Sequence, residues 1–206
     1  MSQPEQYLEV EVKFLVADLA AFRERLISVG GTGKRPRIYE HNIRFDTPDG
    51  KLLQKRQLLR LRQDTAVKVT FKGEPAIARQ SEVKVREELE MTVDNLETTV
   101  LIFQRLGFAP VQVYEKYRET FQWGEVEIVL DEMPFGNFVE LEGEETAIKA
   151  VAGLLGLKWE QRILDNYLNM MAQVKTRYNL PFNDLTFANF QDITIDLTDI
   201  FGKAID

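Results

Sequence analysis

A pair of glutamates separated by a single residue precedes each of the first three predicted helices. The three pairs are Glu9 and Glu11, Glu88 and Glu90, and Glu140 and Glu142. Successive side chains of an extended strand point to opposite faces, so both members of each pair lie on one face, and Lys13 follows the first pair on that face. Carboxylate oxygens gathered in this way are ligands that a hard cation such as Mg²⁺ accepts. The spacing therefore predicts a site for divalent metal ions.

Lysine and arginine follow the same alternation in segments 59–62, 67–72, 83–90 and 115–118. Their side chains form charge-assisted hydrogen bonds with phosphate oxygens. A strand face with bases alone would indicate an anion site, and one with carboxylates alone a cation site. Because both occur together, the pattern favours a complex of a metal ion with a polyphosphate.

The alternation extends over about residues 8–145, which predicts a sheet with one charged and one apolar face. Taken singly, each segment also fits the solvent-exposed face of an antiparallel strand. The repeated use of Glu, Arg and Lys in preference to uncharged polar residues favours an enclosed face. If the sheet closes into a barrel, the charged face points inward. Such a lumen must be wet or filled, because unpaired buried ions are costly.

Four segments switch to helical spacing, which predicts helices that cover the outside of the sheet. The first follows Asp18, a residue suited to capping a helix, and ends at Gly30. The second is expected to be capped by Asp94 and to end at Gly107. The remaining two are expected at 145–156 and from about Trp159 onward.

The composition narrows the class of protein. The chain has 206 residues, of which 44% are hydrophobic and 29% charged, with no cysteine and a net charge of -7. This balance is typical of a soluble globular protein and argues against nucleic-acid and membrane partners. The N-terminal residues show no secretion signal, so a cytoplasmic protein is expected. The lone His41 argues against a histidine-rich zinc site or a Ser-His-Asp triad, and no glycine-rich phosphate loop occurs.

The order of the charged motifs resembles the CYTH, or triphosphate tunnel metalloenzyme, superfamily, over about residues 7–172. This superfamily contains class IV adenylyl cyclases, thiamine triphosphatases and inorganic triphosphatases. After Glu9-x-Glu11-x-Lys13, the motifs are Phe45-Asp46-Thr47-Pro48, Leu59-Arg60-Leu61-Arg62, Thr70-Phe71-Lys72-Gly73, Arg86-Glu87-Glu88, Lys116-Tyr117-Arg118, Leu130-Asp131 and Gly136-x-Phe138-Val139-Glu140-Leu141-Glu142-Gly143.

The resemblance implies a fold of the α+β class that is mainly β: a closed eight-stranded antiparallel β-barrel tunnel with a charged lumen and helices packed outside. We expect this domain over residues 1–175 and a C-terminal appendage of unknown role over 176–206. The carboxylates implied as metal ligands are Glu9, Glu11, Glu88, Glu90, Asp131, Glu140 and Glu142. The side chains implied to contact a triphosphate are Lys13, Arg60, Arg62, Lys72, Arg86, Lys116 and Arg118. For each of them, an ion pair that only holds the barrel together remains an alternative.

The leading hypothesis is a triphosphatase that uses Mg²⁺ or Mn²⁺, with two ions expected and with Glu9, Glu11 and Lys13 as catalytic residues. Lys13 would assist the attacking water if its neighbours lowered its pKa. The substrate would be a small triphosphate: tripolyphosphate, ATP or thiamine triphosphate, with tripolyphosphate expected to be hydrolysed better than ATP. The alternatives are an adenylyl cyclase that forms cyclic AMP and pyrophosphate, and a non-catalytic polyphosphate- or nucleotide-binding module. A homodimer is left open.

Overall fold

The computed structural model describes residues 7–75 and 81–205. Its strands are β1 (Leu8–Val16), β2 (Thr32–Asp46), β3 (Leu58–Gln63), β4 (Val67–Gly73), β5 (Lys84–Val93), β6 (Ala109–Trp123), β7 (Val126–Met133) and β8 (Gly136–Glu142). Its helices are α1 (Leu19–Ser28), α2 (Lys51–Gln54), α3 (Leu96–Arg105), α4 (Glu145–Leu154), α5 (Tyr167–Tyr178), α6 (Phe187–Phe190) and α7 (Thr198–Phe201).

The eight strands form a closed antiparallel barrel in the order β1-β5-β4-β3-β2-β6-β7-β8. Closure depends on β1, which pairs with β5 over its first half and with β8 from Glu11 onward. Where β5 no longer pairs, the backbone of Ile163 exchanges two hydrogen bonds with Lys13, of 2.8 and 3.1 Å. The predicted fold class is therefore confirmed.

The apolar face of the barrel is buried beneath helices on one side. Val12 and Phe14 of β1 are buried against Phe22 of α1 and Ile148 of α4. The carboxylate of Asp18 accepts hydrogen bonds from the first backbone N–H groups of α1, as its capping role predicted. Because the helices occupy the apolar face, the charged face of these strands is left pointing into the barrel.

Two helix predictions needed correction. Asn95, not Asp94, caps α3 through a hydrogen bond from the Thr98 backbone N–H. The prediction of a helix that starts at about Trp159 is wrong, because residues Trp159–Gln161 form only a 3₁₀ turn and α5 begins at Tyr167. The extended backbone between these two elements is used to pair Ile163 with β1.

The alternation of charged and apolar residues did not predict the long strand β2. Its register shifts between Gly33 and Arg35, between Arg35 and Ile38 and between Arg44 and Phe45. Each irregularity interrupts the period of two on which the sequence argument depended. The strand is nevertheless central to closure, since it pairs with both β3 and β6.

The C-terminal segment packs against one end of the barrel. There the lumen-side residues Leu15 and Phe138 are apolar and contact an apolar cluster that includes Met170 of α5 and Leu197. The backbone of Leu185 bridges to β6. The domain boundary predicted at residue 175 falls within α5, and the division into a tunnel domain and an appendage stays a prediction.

None of the helices in residues 7–75 and 81–205 has both the length and the apolar composition needed to cross a membrane.

Candidate active site in the barrel lumen

The barrel encloses a cavity of about 310 Å³ whose lining is dominated by charged side chains. Twelve of the residues predicted to act on a metal or a phosphate line it: Glu9, Glu11, Lys13, Arg60, Arg62, Lys72, Glu88, Glu90, Lys116, Arg118, Glu140 and Glu142. Two predicted residues, Arg86 and Asp131, are not among its lining residues. The predicted charged lumen is therefore present.

Three carboxylates meet at one point of this cavity. Glu9, Glu11 and Glu142 each offer an oxygen, and these oxygens lie within 4.8 Å of one another. Glu9 and Glu11 are separated by one residue on β1, while Glu142 lies directly opposite Glu11 on β8. We refer to these three residues as the acidic cluster. In the described part of the chain no other group of three acidic or histidine side chains meets the same spacing.

Two members of the acidic cluster are poorly neutralised by the protein itself. Burial, reinforced by the repulsion of Glu140 and Glu9, raises the pKa of Glu142 to about 8. Burial also raises the pKa of Glu9 to about 7, because the attraction of Lys72 offsets only part of it. Glu142 has no ion pair among the described residues and Glu9 has only Lys72, so a divalent cation would supply the missing positive charge. The cluster therefore fits Mg²⁺ or Mn²⁺ by both donor type and electrostatics.

The third member is fully ionised. Burial alone would raise the pKa of Glu11, but the attraction of Lys13 and Lys84 outweighs burial and lowers the pKa well below its usual range. Lys13 lies 3.0 Å from Glu11 and 3.1 Å from Glu140. These carboxylates overcome the effect of burial and raise the pKa of Lys13 well above its usual range. Lys13 is thus a fixed positive charge.

The other predicted acidic ligands are paired with bases. Glu88 lies 3.0 Å from Lys72, and Glu90 lies 3.0 Å from Arg62. Glu140 lies 2.6 Å from Arg118, in addition to its contact with Lys13. Glu9 and Glu11 also pair with lysines, so Glu142 is the glutamate of the lining that has no ion pair among the described residues.

Asp131 does not line the cavity but contacts two of its basic residues. Its side chain is fully buried and accepts hydrogen bonds from Lys116 (3.0 Å), from Arg118 (2.5 and 2.7 Å) and from the hydroxyl of Tyr167 (2.9 Å). A carboxylate with this many donors fixes the direction of the two basic side chains that line the cavity. In this structure Asp131 positions Lys116 and Arg118.

The bases of β3 face the cavity from the opposite wall. Arg60 donates to the hydroxyls of Tyr114 (3.2 Å) and Thr70 (2.9 Å), while its Nε is buried without a hydrogen-bond partner. Arg62 donates to Glu90, and its Nε has no hydrogen-bond partner but lies 3.5 Å from the carboxylate of Asp64. The buried Nε of Arg60 is therefore a donor available to an oxyanion.

Arg86 lies at the edge of the lumen and turns away from it. Its Nε donates to the backbone carbonyl of Gly73 (2.8 Å), and its Nη2 donates to that of Arg56 (2.6 Å). It lines a second cavity that adjoins the first one. The contact of Arg86 with a triphosphate stays a prediction.

Several lining residues were not singled out from the sequence. Lys68 and Lys84 occupy the same alternating face as the predicted bases, so the period of two could have identified them. Glu40 lies on β2 between Arg62 (3.6 Å) and Lys116 (3.7 Å) and was missed because the bulges obscured that strand. The remaining missed members of the lining are Arg35, Leu58, Tyr114, Thr120, Glu127, Asn166, Tyr167 and Leu168.

A closed antiparallel barrel with acids and bases paired in its lumen has the donor types that suit a metal ion together with a polyanion. Residues 7–162 match the family model of the CYTH domain. The chain belongs to this family, as its motifs predicted.

Individual relatives agree with this assignment. A protein of Methanocaldococcus jannaschii, named provisionally as an adenylate cyclase, is 33% identical over 137 residues, which are 66% of this chain and 76% of that protein. A solved structure from Vibrio parahaemolyticus, also described provisionally as an adenylate cyclase, has a TM-score of 0.70 at 23% identity and covers 80% of this chain and 98% of its own. A Hippeastrum protein, described as a provisional adenylyl cyclase with a dominant triphosphatase activity, has a TM-score of 0.52 at 20% identity, with coverages of 91% and 97%. At these identities the two structures establish the shared fold.

Proposed function

We propose that this chain is a divalent-metal-dependent hydrolase of triphosphates, with inorganic tripolyphosphate as its preferred substrate. The observation that carries the proposal is the acidic cluster, whose three carboxylate oxygens lie within 4.8 Å of one another inside a lumen lined with lysine and arginine. Acids alone would suit a cation and bases alone an anion. Together they suit a metal-bound polyphosphate.

The acidic cluster would hold the metal. Mg²⁺ or Mn²⁺, with two ions expected, would polarise phosphate oxygens and lower the pKa of a bound water. Glu9 and Glu142, whose pKa values are raised to about 7 and about 8, gain a counter-charge when a cation is present. The four other predicted ligands, Glu88, Glu90, Asp131 and Glu140, would take part only after their pairs with lysine and arginine open.

The bases of the lumen would bind the phosphate oxygens. Arg60 and Arg62 approach from β3, while Lys116 and Arg118 approach from β6 with their directions fixed by Asp131. Charge that spreads over a transferring phosphoryl group is stabilised by cations held in place before the reaction. Such an arrangement serves triphosphates that differ in their organic part.

Lys13 would act through its charge and not as a proton acceptor. Lys13 could accept a proton from the attacking water only if its neighbours lowered its pKa, whereas Glu11 and Glu140 raise the pKa of Lys13. A lysine that stays protonated neutralises phosphate oxygens next to the acidic cluster. We therefore retain Lys13 in the catalytic set as an electrostatic residue.

The preference for tripolyphosphate rests on the lining of the main cavity. Its aromatic side chains among the described residues are Tyr114 and Tyr167, whose hydroxyls are bonded to Arg60 and Asp131. Both rings are buried and belong to the apolar cluster beneath the lumen, so they offer no platform for a base. A site that selects a nucleotide usually hydrogen-bonds its base.

A second candidate is an adenylyl cyclase, which the provisional names of the M. jannaschii and Vibrio relatives favour. A phosphate-release assay with tripolyphosphate, ATP and thiamine triphosphate, each with Mg²⁺ or Mn²⁺, separates the two activities. We expect the highest specificity constant for tripolyphosphate. Cyclic AMP as the main product from ATP would replace the proposal with the cyclase. Binding of all three compounds without turnover would identify a non-catalytic module.

A further inference from the structure

Acids and bases alternate along two series of ion pairs inside the barrel, and both series start at the acidic cluster. The first series lies on β1, β8, β7 and β6, which are neighbouring strands. None of its contacts is longer than 3.1 Å. We call it the first arc, and its members in order are Glu11, Lys13, Glu140, Arg118, Asp131 and Lys116.

The second series runs round the other side of the barrel, on β1, β5, β4 and β3. Its longest contact is 3.9 Å. We call it the second arc, and its members in order are Glu9, Lys72, Glu88, Arg60, Glu90 and Arg62. Each arc therefore begins with a carboxylate of the acidic cluster and ends with a base.

Glu40 joins the far ends of the two arcs. It belongs to β2, which lies between β3 and β6 in the barrel. Its buried carboxylate is 3.6 Å from Arg62 and 3.7 Å from Lys116. Lys116 lies directly across the strand pair from Glu40, whereas Arg62, which lies opposite Asn42, reaches Glu40 diagonally. No other ion pair among the described residues connects the far ends of the arcs, so Glu40 is the joint between them.

Glu40 is charged, but neither base donates a hydrogen bond to it. Burial alone would raise its pKa, but the attraction of Lys116 and the neighbouring arginines outweighs burial and lowers the pKa to about 2. Both contacts are longer than a hydrogen bond, and the buried Oε2 has no hydrogen-bond partner. Each base also has a closer carboxylate, since Arg62 lies 3.0 Å from Glu90 and Lys116 lies 3.0 Å from Asp131. Loss of Glu40 would therefore leave both bases paired but no longer linked to each other.

We propose that Glu40 is a positioning residue that fixes the separation of Arg62 and Lys116, so that both bases reach the phosphate oxygens of one substrate together. This inference rests on the proposed function, in which these two bases bind the triphosphate. Cations stabilise a transferring phosphoryl group best when they are held in place before the reaction. As an anion, Glu40 repels phosphate, and it therefore acts through the two bases and not by contact with the substrate.

The test is a double-mutant cycle between Glu40→Gln and Arg62→Lys on the full chain. Specificity constants for tripolyphosphate with Mg²⁺ and dissociation constants from calorimetry are measured for all four proteins. Arg62→Lys alone should weaken both constants by about tenfold or more. In the Glu40→Gln background it should weaken them by no more than about threefold, because Arg62 is already out of position. Glu119→Gln is the matched control, since Glu119 pairs with Arg23 of α1 outside the lumen, and it should leave the full effect of Arg62→Lys in place.

A second readout separates positioning from charge balance. Glu40→Gln removes a negative charge, so a role in charge balance alone predicts tighter binding of tripolyphosphate with an unchanged kcat. Positioning predicts that kcat falls by about tenfold or more while the Michaelis constant does not rise. Glu40→Asp keeps the charge but withdraws the carboxylate from both bases. It should lower kcat as Glu40→Gln does, whereas it would restore a role in charge balance.

The proposal is overturned if Glu40→Gln and Arg62→Lys act independently, if Glu40→Asp has the kinetics of the wild type, or if the wild type does not bind tripolyphosphate. Should Glu40→Gln fail to fold by circular dichroism, the same cycle with Glu40→Asp decides. Hydrolysis without coupling would leave the proposed hydrolase function in place and remove the role of Glu40. Coupling in the dissociation constants without phosphate release would support the role of Glu40 while the hydrolase function fails.

Discussion

Glu142 on β8 lies directly across the strand pair from Glu11 on β1, and its other neighbour across the sheet, on β7, is Glu127. Like charges in opposite positions destabilise antiparallel strands. A row of three glutamates across three strands therefore opposes folding unless positive charge is brought to it. Glu127 has Lys34 as a partner and Glu11 has Lys13 and Lys84, but no ion pair is found for Glu142 among the described residues.

The first prediction concerns Glu142→Gln. The raised pKa of Glu142, about 8, means that its ionised form destabilises the metal-free protein, and that this penalty accumulates as the pH rises from the ordinary pKa of 4.5 to about 8. At pH 9 the variant should therefore be more stable than the wild type by at least about 1 kcal/mol, with little difference below pH 4.5. Denaturant unfolding in EDTA measures this. The same variant should bind Mn²⁺ more weakly, and a variant that loses stability at pH 9 would contradict the assignment.

The second prediction is that Glu9→Gln and Glu11→Gln each remove nearly all turnover of tripolyphosphate while the protein remains folded. Each change preserves the size of the side chain and deletes one charge that would hold the metal. Turnover is measured at saturating Mg²⁺, and folding by circular dichroism. Glu132→Gln is the control, because Glu132 pairs with Arg37 on the outside. Near-normal rates in both variants would mean that the two carboxylates serve only the structure.

The third prediction is that Arg60→Lys and Arg62→Lys raise the Michaelis constant for tripolyphosphate. Lysine keeps the positive charge but loses the planar donors that bind two oxygens at once. A loss of one charge-assisted contact corresponds to about tenfold or more. The effect of the remaining charge should weaken as salt is added. Arg37→Lys provides the comparison, and unchanged kinetics in both lumen variants would remove β3 from the binding wall.

The fourth prediction is that metal binding releases protons near neutral pH. Glu9 and Glu142 have pKa values of about 7 and about 8 without metal, and a carboxylate must be ionised to bind it. Affinity for Mn²⁺ should therefore increase between pH 6 and pH 9. Calorimetry in two buffers of different ionisation enthalpy counts the protons released. The number should be larger at pH 7 than at pH 9, and an equal number at both values would show that other groups titrate.

The helical and strand patterns predicted most elements, and the failures have local causes. Asp18 and α1 were predicted correctly because a capping residue and an apolar stripe lie within one short segment. The stretch around Ile163 carries the spacing of a helix, but its backbone pairs with Lys13 of β1, a contact that no local pattern reveals. In β2 the bulges shift the alternation, and Glu40 was therefore missed.

The sequence alone determined which side chains share a strand face, because that depends only on the period of two within each strand. Glu9, Glu11 and Lys13 had to lie on the same face of their strand, and the mixture of acids and bases was sufficient to predict a charged lumen. Only the tertiary structure decided which charges meet. Glu142 joins Glu9 and Glu11 because closure of the barrel places β8 beside β1, whereas Asp131 is engaged by Arg118 across β6 and β7. Register between distant strands depends on the closure of the whole sheet, and it decides which three carboxylates converge at one point of the lumen.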